Sequence, residues 1–239
     1  MVYLIQNDLD VSKAMDRNME ERFSYFEFPY PGLKTISQEK PPRFIKSHLP
    51  CHLLPKSMTT SKCKKIYVVR NPRDVTVSYY HFIRMINEIK YRGNFRGFFE
   101  RFRLGMVAYG PWWDHVKGYW EHRDDENMLF LKYEDLQKDP YGGVKKIAKF
   151  LGKDLNEKEV YNVAVYCSFF CMKDNPASNY SWWDTFGLRD KKEAKFLRKG
   201  IVGDWKNYFT NDMCHKMDQV VDEKLAGTGL TFEYEIPKR

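Results

Sequence analysis

The stretch that decides the fold is residues 64–82, KKIYVVRNPRDVTVSYYHF. Its β-branched and aromatic run IYVV is typical of a buried strand in a parallel sheet, and Pro72 fits the first turn of a following helix. In open α/β sheets, ligands bind beyond the carboxyl ends of the strands, where the next helices begin. Arg70 and Ser78 are therefore candidate ligands of an anion. The alternative, from the residue types alone, is a surface arginine and a serine on an ordinary strand–helix turn.

Two further segments carry cations in patterns that suit an anionic ligand. FIKSHLP, residues 44–50, is interpreted as a short strand in which Lys46 and His48 alternate and so point to one face. RKGIVGDW, residues 198–205, places two adjacent cations before a glycine. Because glycine lets the backbone approach a ligand closely, successive amides there can bind a phosphate.

These segments, together with FLKYEDLQKDP (residues 130–140) and FLRKGIVGDWKNYFT (196–210), occur in an order that resembles the cytosolic sulfotransferase family. Its members use 3'-phosphoadenosine 5'-phosphosulfate (PAPS). The resemblance implies an α/β fold with a central parallel sheet flanked by helices, of the P-loop nucleotide-kinase-like kind, in a single domain over residues 1–239. The implied reaction transfers a sulfuryl group from PAPS to a small, mostly apolar acceptor, namely a phenol, an alcohol or an amine.

The resemblance also implies roles for individual residues. His48 would be the general base that takes the acceptor proton, and Lys46 would offset negative charge on the transferring group. The implied ligands of the 3'-phosphate are Arg70, Ser78, Arg198, Lys199 and Gly200. The implied adenosine contacts are Tyr133, Phe169 and Phe196, and the implied acceptor contacts are Tyr25, Phe28 and Tyr80. Without the resemblance, Tyr133 is only a strand-end tyrosine, and Tyr25 and Phe28 are equally well ordinary packing residues.

No metal is expected at this site. His48 and His52 flank Cys51, a spacing that superficially suggests metal ligation. Pro50, however, disfavours the helix that would place both histidines on one face.

The sequence departs from the family pattern in three places. No glycine-rich loop followed by Lys-Ser/Thr is found, and residues 1–8 are interpreted as the end of the helix that follows this 5'-phosphosulfate loop in the family. The prediction is a family domain that is incomplete at its N-terminus, as a truncated isoform would be. Cys167 stands where the family commonly has threonine. Asn211 and His215 depart from the family's dimer segment, so a homodimer of that type is not expected. The alternative to an enzyme is a catalytically inactive protein that binds a nucleotide or a partner.

Composition narrows the class of partner. The formal net charge is +8, but no nucleic-acid-binding module is recognised and the cations are interspersed with acids, so nucleic acid is not the expected partner. No apolar run is long enough to cross a membrane. Five cysteines without a CxxC pair or a signal peptide indicate reduced thiols and a cytoplasmic location.

Four other segments complete the outline. Residues 127–133, NMLFLKY, predict another buried strand, and residues 98–120 predict two helices around Gly110-Pro111. Residues 32–42 have the composition of a loop. Residues 83–96 are polar and irregular, as a mobile loop over an acceptor pocket would be.

Overall fold

The computed structural model describes residues 1–28 and 32–237. The helices are α1 (Val2–Gln6), α2 (Val11–Asp16), α3 (Met19–Arg22), α4 (Gly32–Gln38), α5 (Lys56–Thr60), α6 (Pro72–Met85), α7 (Phe95–Arg103), α8 (Trp112–Trp120), α9 (Tyr133–Lys138), α10 (Pro140–Leu151), α11 (Glu157–Tyr166), α12 (Phe169–Lys173) and α13 (Asn211–Lys224). The strands are β1 (Ser24–Tyr25), β2 (Ile45–Lys46), β3 (Lys65–Val69) and β4 (Met128–Lys132). Single 3-10 turns lie at Cys51–Leu53, Ser181–Asp184 and Asp204–Asn207. The α/β class is confirmed.

The described residues form two compact units. Unit 1 comprises Met1–His48, Pro140–Arg189 and Lys195–Gly200, and unit 2 comprises Leu49–Asp139, Asp190–Ala194 and Ile201–Arg239. Each unit contains one two-stranded parallel sheet, so the predicted parallel pairing is found in two short sheets in the described part of the chain. The extent of the single domain stays a prediction.

In unit 1, β1 and β2 pair in parallel with Tyr25 opposite Lys46. Helix α1 packs against α10, and α10 packs against α11. Their apolar faces supply a core in which Leu4, Ile5, Val144, Ile147, Val160 and Val163 are buried. The predicted loop at residues 32–42 was wrong in its first half, which forms α4. That helix buries Ile36, so tertiary packing outweighs the loop-like composition.

In unit 2, β3 and β4 pair in parallel with Val69 opposite Lys132. Both strands were predicted, and α6 begins as expected, with the Asn71 side chain accepting the amide of Asp74 and Pro72 in the first turn. The prediction that β3 is buried throughout was wrong. Val69 is 2% exposed but Val68 is 49% exposed, because side chains alternate across the sheet and the described residues cover only one face at that position.

Helix α6 extends further than predicted. The expected irregular segment 83–96 was wrong at both ends, because α6 continues to Met85 and α7 begins at Phe95. Ile83 and Met85 are buried, which explains why the helix persists there. Packing against α7 and α13 forms an apolar cluster that includes Ile83, Phe98, Phe99, Phe102, Met213 and Met217.

Two further features concern membrane-spanning helices and the state of the cysteines. Across residues 1–28 and 32–237, no helix has both the length and the apolar content that crossing a bilayer requires. All five cysteines carry free thiols.

Candidate functional site

The carboxyl edge of the unit 2 sheet brings Arg70 and Tyr133 together. Each residue directly follows its strand, and the two strands are paired in register. The Arg70 guanidinium lies 4.5 Å from the centre of the Tyr133 ring and donates to the carbonyl of Ile201 at 2.6 Å. Burial raises the pKa of Tyr133, against the opposing effect of the Arg70 charge, so the phenol stays protonated at neutral pH. The structure therefore brings one predicted phosphate ligand against one predicted adenosine contact.

Asp74 fixes the surroundings of Arg70. Its buried carboxylate accepts the amide of Gly203 at 2.9 Å and that of Trp205 at 3.1 Å. It also lies 3.4 Å from the Arg70 guanidinium. Asn71, which is fully buried, links this group to the buried carboxylate of Glu134 at 2.8 Å. One carboxylate thus holds both the arginine and residues 203–205, a role that the sequence interpretation missed although Asp74 stands inside the motif.

Two further predicted residues lie on α6 in unit 2. Ser78 is exposed in the middle of the helix, with its hydroxyl accessible to a ligand. Tyr80 packs against the apolar cluster, and its hydroxyl accepts from Arg84 at 3.2 Å and donates to the carbonyl of Gly93 at 3.4 Å. The Tyr80 ring is therefore fixed in place, and its hydroxyl is already engaged.

Four predicted residues meet at the β1–β2 pair in unit 1. The Lys46 ammonium lies 4.5 Å from the centre of the Tyr25 ring, and the His48 imidazole meets the same ring edge-on at 5.1 Å. Phe28 stacks on Tyr25 at 4.7 Å and is 49% exposed. The register that places Tyr25 opposite Lys46 produces this arrangement. The predicted base, its assisting lysine and both predicted acceptor contacts of this unit thus share one aromatic centre.

The segment that carries His48 is held by a carboxylate. Oε1 of Glu27 accepts the Ser47 hydroxyl at 2.8 Å and the backbone amide of His48 at 2.5 Å. His48 itself is exposed, so a small molecule can reach its imidazole. Glu27 therefore fixes the backbone of residues 47–48 and leaves the histidine side chain accessible.

Lys46 is bound by two residues that the sequence interpretation missed. Its ammonium donates to Oε1 of Glu20 at 2.6 Å and to the Tyr180 hydroxyl at 3.1 Å. The Tyr180 hydroxyl donates to the same Glu20 oxygen at 3.0 Å. Burial, with the charge and hydrogen bond of Glu20, raises the pKa of Tyr180, so it remains a phenol. Glu20, Lys46 and Tyr180 are far apart in the chain, which is why no motif signalled the cluster.

The predicted nucleotide contacts of unit 1 form two groups. Gly200 has φ +64°, and a methyl group at its α-carbon would lie 2.2 Å from Cδ2 of Phe169. Phe196 packs 4.0 Å from Tyr180 and 5.5 Å from Trp183, measured between ring centres. Arg198 is half-buried and Lys199 exposed in the segment between Phe196 and Gly200. Glycine at position 200 is therefore required both by its backbone conformation and by the ring against it.

The expectation that the site needs no metal stays a prediction. In the part of the chain that the structure describes, no group of three or more His, Cys, Asp or Glu side chains is placed to hold a metal ion. The two histidines spaced around Cys51 are separated by the division between the units, with His48 in unit 1 and His52 in unit 2.

The strand-end arginine of unit 2 has the charge that an anionic ligand requires, and the lysine–histidine pair of unit 1 has a residue type that can accept a proton. The family model for the sulfotransferase domain matches residues 1–229. The chain belongs to the sulfotransferase family.

Individual relatives and solved structures agree with this assignment. Sulfotransferase 1B1 of Mus musculus is 41% identical over 237 residues, which cover 97% of this chain and 79% of the mouse protein. Sulfotransferase 1C2 of Homo sapiens is 37% identical over 240 residues, covering 99% of this chain and 81% of the human protein. A retinol dehydratase crystallised with androsterone and the inactive cofactor PAP superposes with a TM-score of 0.89 at 32% identity, covering 97% of this chain and 77% of that one. Mouse sulfotransferase SULT7A1 complexed with PAP has a TM-score of 0.74, also at 32% identity, covering 91% of this chain and 79% of that one.

Proposed function

We propose that this protein transfers a sulfuryl group from PAPS to a hydroxyl or amine of a small apolar acceptor, in the cytoplasm and without a metal. The observation that carries the proposal is the shared contact of Lys46 and His48 with the Tyr25 ring. A histidine beside an aromatic surface can remove the proton of a bound phenol or alcohol. An ammonium beside it stabilises negative charge as that charge develops.

The residues present fit a phosphorylated nucleotide. Nε of Arg70 is buried and has no hydrogen-bond partner among the described residues, so this guanidinium has donor capacity that the protein itself does not use. Ser78 presents an exposed hydroxyl on the following helix. Arg70 and Ser78 are the proposed phosphate ligands of unit 2, with Tyr133 as its nucleotide contact. Arg198, Lys199, Gly200, Phe169 and Phe196 are the proposed nucleotide contacts of unit 1.

PAPS supplies the sulfuryl group, which passes to the acceptor oxygen or nitrogen while 3'-phosphoadenosine 5'-phosphate (PAP) leaves. The chain's own residues would orient the acceptor against the stacked rings of Tyr25 and Phe28, accept its proton at His48, and hold a positive charge at Lys46. Retinol dehydratase and mouse SULT7A1 were each crystallised with PAP, which supports the same nucleotide for this chain.

The test combines calorimetry with PAP and a label-transfer assay with PAPS and a simple phenol. We expect PAP to bind the purified chain and Arg70→Gln to weaken that binding at least tenfold. His48→Ala should leave PAP binding within twofold and lower kcat at least about a hundredfold, the usual contribution of a general base. His122→Ala, at an exposed histidine paired with Asp125, is the matched control and should change neither quantity.

Three outcomes would contradict the proposal in different ways. PAP binding without transfer would favour the alternative, a nucleotide-binding protein without catalytic activity. Transfer that survives His48→Ala would show that another group removes the acceptor proton. Absence of PAP binding would contradict both the enzyme and the nucleotide-binding alternative.

A further inference from the structure

Glu20, which has no role in the proposed reaction, is the centre of a buried polar cluster in unit 1. This carboxylate is 6% exposed and belongs to the short helix α3. Oε1 receives both Lys46 and Tyr180, whereas Oε2 is buried without a hydrogen-bond partner in the described residues. A buried carboxylate with one oxygen unbonded depends strongly on whatever charge faces the other oxygen. For Glu20 that charge is the Lys46 ammonium.

We propose that Glu20, with Tyr180, is a positioning residue that fixes the ammonium of Lys46 against the Tyr25 ring. This inference rests on the proposed function, in which the Lys46 ammonium stabilises negative charge on the transferring group. Three distances define the arrangement: 2.6 Å to Glu20, 3.1 Å to the Tyr180 hydroxyl and 4.5 Å to the centre of the Tyr25 ring. Together they hold a long, flexible side chain in one place.

The alternative is that Lys46 leaves Glu20 to reach a substrate, in which case Glu20 would compete with the reaction. The burial of the pair decides against this. Leaving a buried carboxylate without its partner is unfavourable by at least about a hundredfold in population, whereas the lysine gains little by moving into water. The Lys46 side chain is only 25% exposed where it is. Lys46 therefore acts from its place on Glu20.

The geometry also leaves one N–H donor of Lys46 for a ligand. An ammonium has three N–H donors, and two of them are used by Glu20 and Tyr180. The third has no hydrogen-bond partner among residues 1–28 and 32–237. Because the first two bonds fix the direction of the third, Glu20 determines where that donor points. A preorganised donor contributes more to a developing charge than one that must first be ordered.

The test first measures the freedom of Lys46 without using catalysis. Trace acetylation with acetic anhydride, followed by mass spectrometry, gives the relative labelling rate of each lysine in the folded full chain. We expect Glu20→Gln to raise the labelling of Lys46 at least fivefold, and Tyr180→Phe to raise it about twofold. The matched control is Glu157→Gln, which removes an exposed partner of Lys145. It should leave Lys46 unchanged.

The second readout separates positioning from folding. In the transfer assay, Glu20→Gln should lower kcat about tenfold or more while the KM for PAPS and the affinity for PAP stay within twofold. The same labelling rate of Lys46 in wild type and Glu20→Gln would overturn the proposal. So would faster labelling with an unchanged kcat. If the wild-type chain transfers no sulfuryl group, the proposed function has failed, and the labelling of Lys46 alone decides whether Glu20 fixes it.

Discussion

Replacing Gly200 by alanine tests whether the contact with Phe169 is as close as the structure has it. A non-glycine residue in the left-handed region costs about 1–2 kcal/mol. In addition, the new methyl group would lie 2.2 Å from Cδ2 and 2.4 Å from Cγ of Phe169. That is far inside the roughly 3.5–4.0 Å separation of touching carbon atoms. The ring must therefore leave its place.

The magnitude follows from these two effects. Pushing a side chain off its preferred rotamer costs about 0.5–1.5 kcal/mol. The half-buried Phe169 ring also loses part of its packing, a further loss of about 1 kcal/mol from a side chain that is worth about 1.5–3 kcal/mol when fully buried. With the backbone cost, Gly200→Ala should lower the free energy of unfolding by about 3 kcal/mol, measured by urea titration of the full chain.

Gly187→Ala is the matched control in the same unit. Gly187 has φ +63°, nearly the value at Gly200, but nothing lies within 4 Å of a methyl group added there. It should therefore show only the backbone cost of about 1–2 kcal/mol. In a Phe169→Ala background the ring contacts are gone but Cβ of residue 169 still lies 2.8 Å from the new methyl group, so the cost of Gly200→Ala should fall but stay above that of Gly187→Ala. Equal losses for the two single alanine variants in the wild-type background would refute the reasoning. PAP affinity should fall for Gly200→Ala and stay unchanged for Gly187→Ala.

Three other perturbations have calculable outcomes. Asp74→Asn places an amide where a buried carboxylate accepts the backbone amides of Gly203 and Trp205. Because hydrogen bonds to charged groups contribute about 1.5–3 kcal/mol, we expect the free energy of unfolding in urea to fall by about 3 kcal/mol. An unchanged unfolding midpoint would contradict this. The Arg73 guanidinium lies 4.4 Å from the centre of the Trp205 ring and donates to both carboxylate oxygens of Asp218. Arg73→Lys keeps the charge but loses the planar group that makes both contacts, so it should lower the unfolding free energy by about 1 kcal/mol; equal stability would contradict this. Burial raises the pKa of Tyr79 to about 12 from its usual 10, so its contribution to stability is complete below pH 10 and is lost as the pH rises towards 12. Absorbance at 295 nm would follow the ionisation, and unfolding measured at each pH would follow the stability. Ionisation of every tyrosine near pH 10 in the folded chain would contradict this.

The strand–helix unit around Arg70 could be predicted from the sequence because its signals are local. A β-branched run, a proline at the first helical position and an asparagine before it act over a few residues, and the structure has β3 and α6 where these signals indicate. The end of α6 could not be predicted in this way. It is set by the burial of Ile83 and Met85 against other helices, which is a property of the tertiary structure.

In the candidate site, too, the features with local sequence signals were predictable and the long-range contacts were not. The alternation of Lys46 and His48 in a short strand indicated a shared face, and both side chains contact the Tyr25 ring. The partners of Lys46 were not predictable, since Tyr180 lies 134 residues away and Glu20 lies on a different secondary-structure element. Glu20 belongs to the charged segment MEER, whose composition does not indicate that the carboxylate is buried. Only the packing of the folded chain reveals it.

The bonds from the amides of Gly203 and Trp205 to Asp74 have a consequence for the dynamics of unit 2. These two amides belong to an irregular segment, yet their acceptor is a buried carboxylate in the first turn of α6. Their protons exchange with solvent deuterium only when the bonds to Asp74 break, so exchange at the two amides should report the opening of this contact between the segment and α6. Arg70 donates to the carbonyl of Ile201 in the same segment. An anion that binds Arg70 would therefore slow exchange at amides it does not touch.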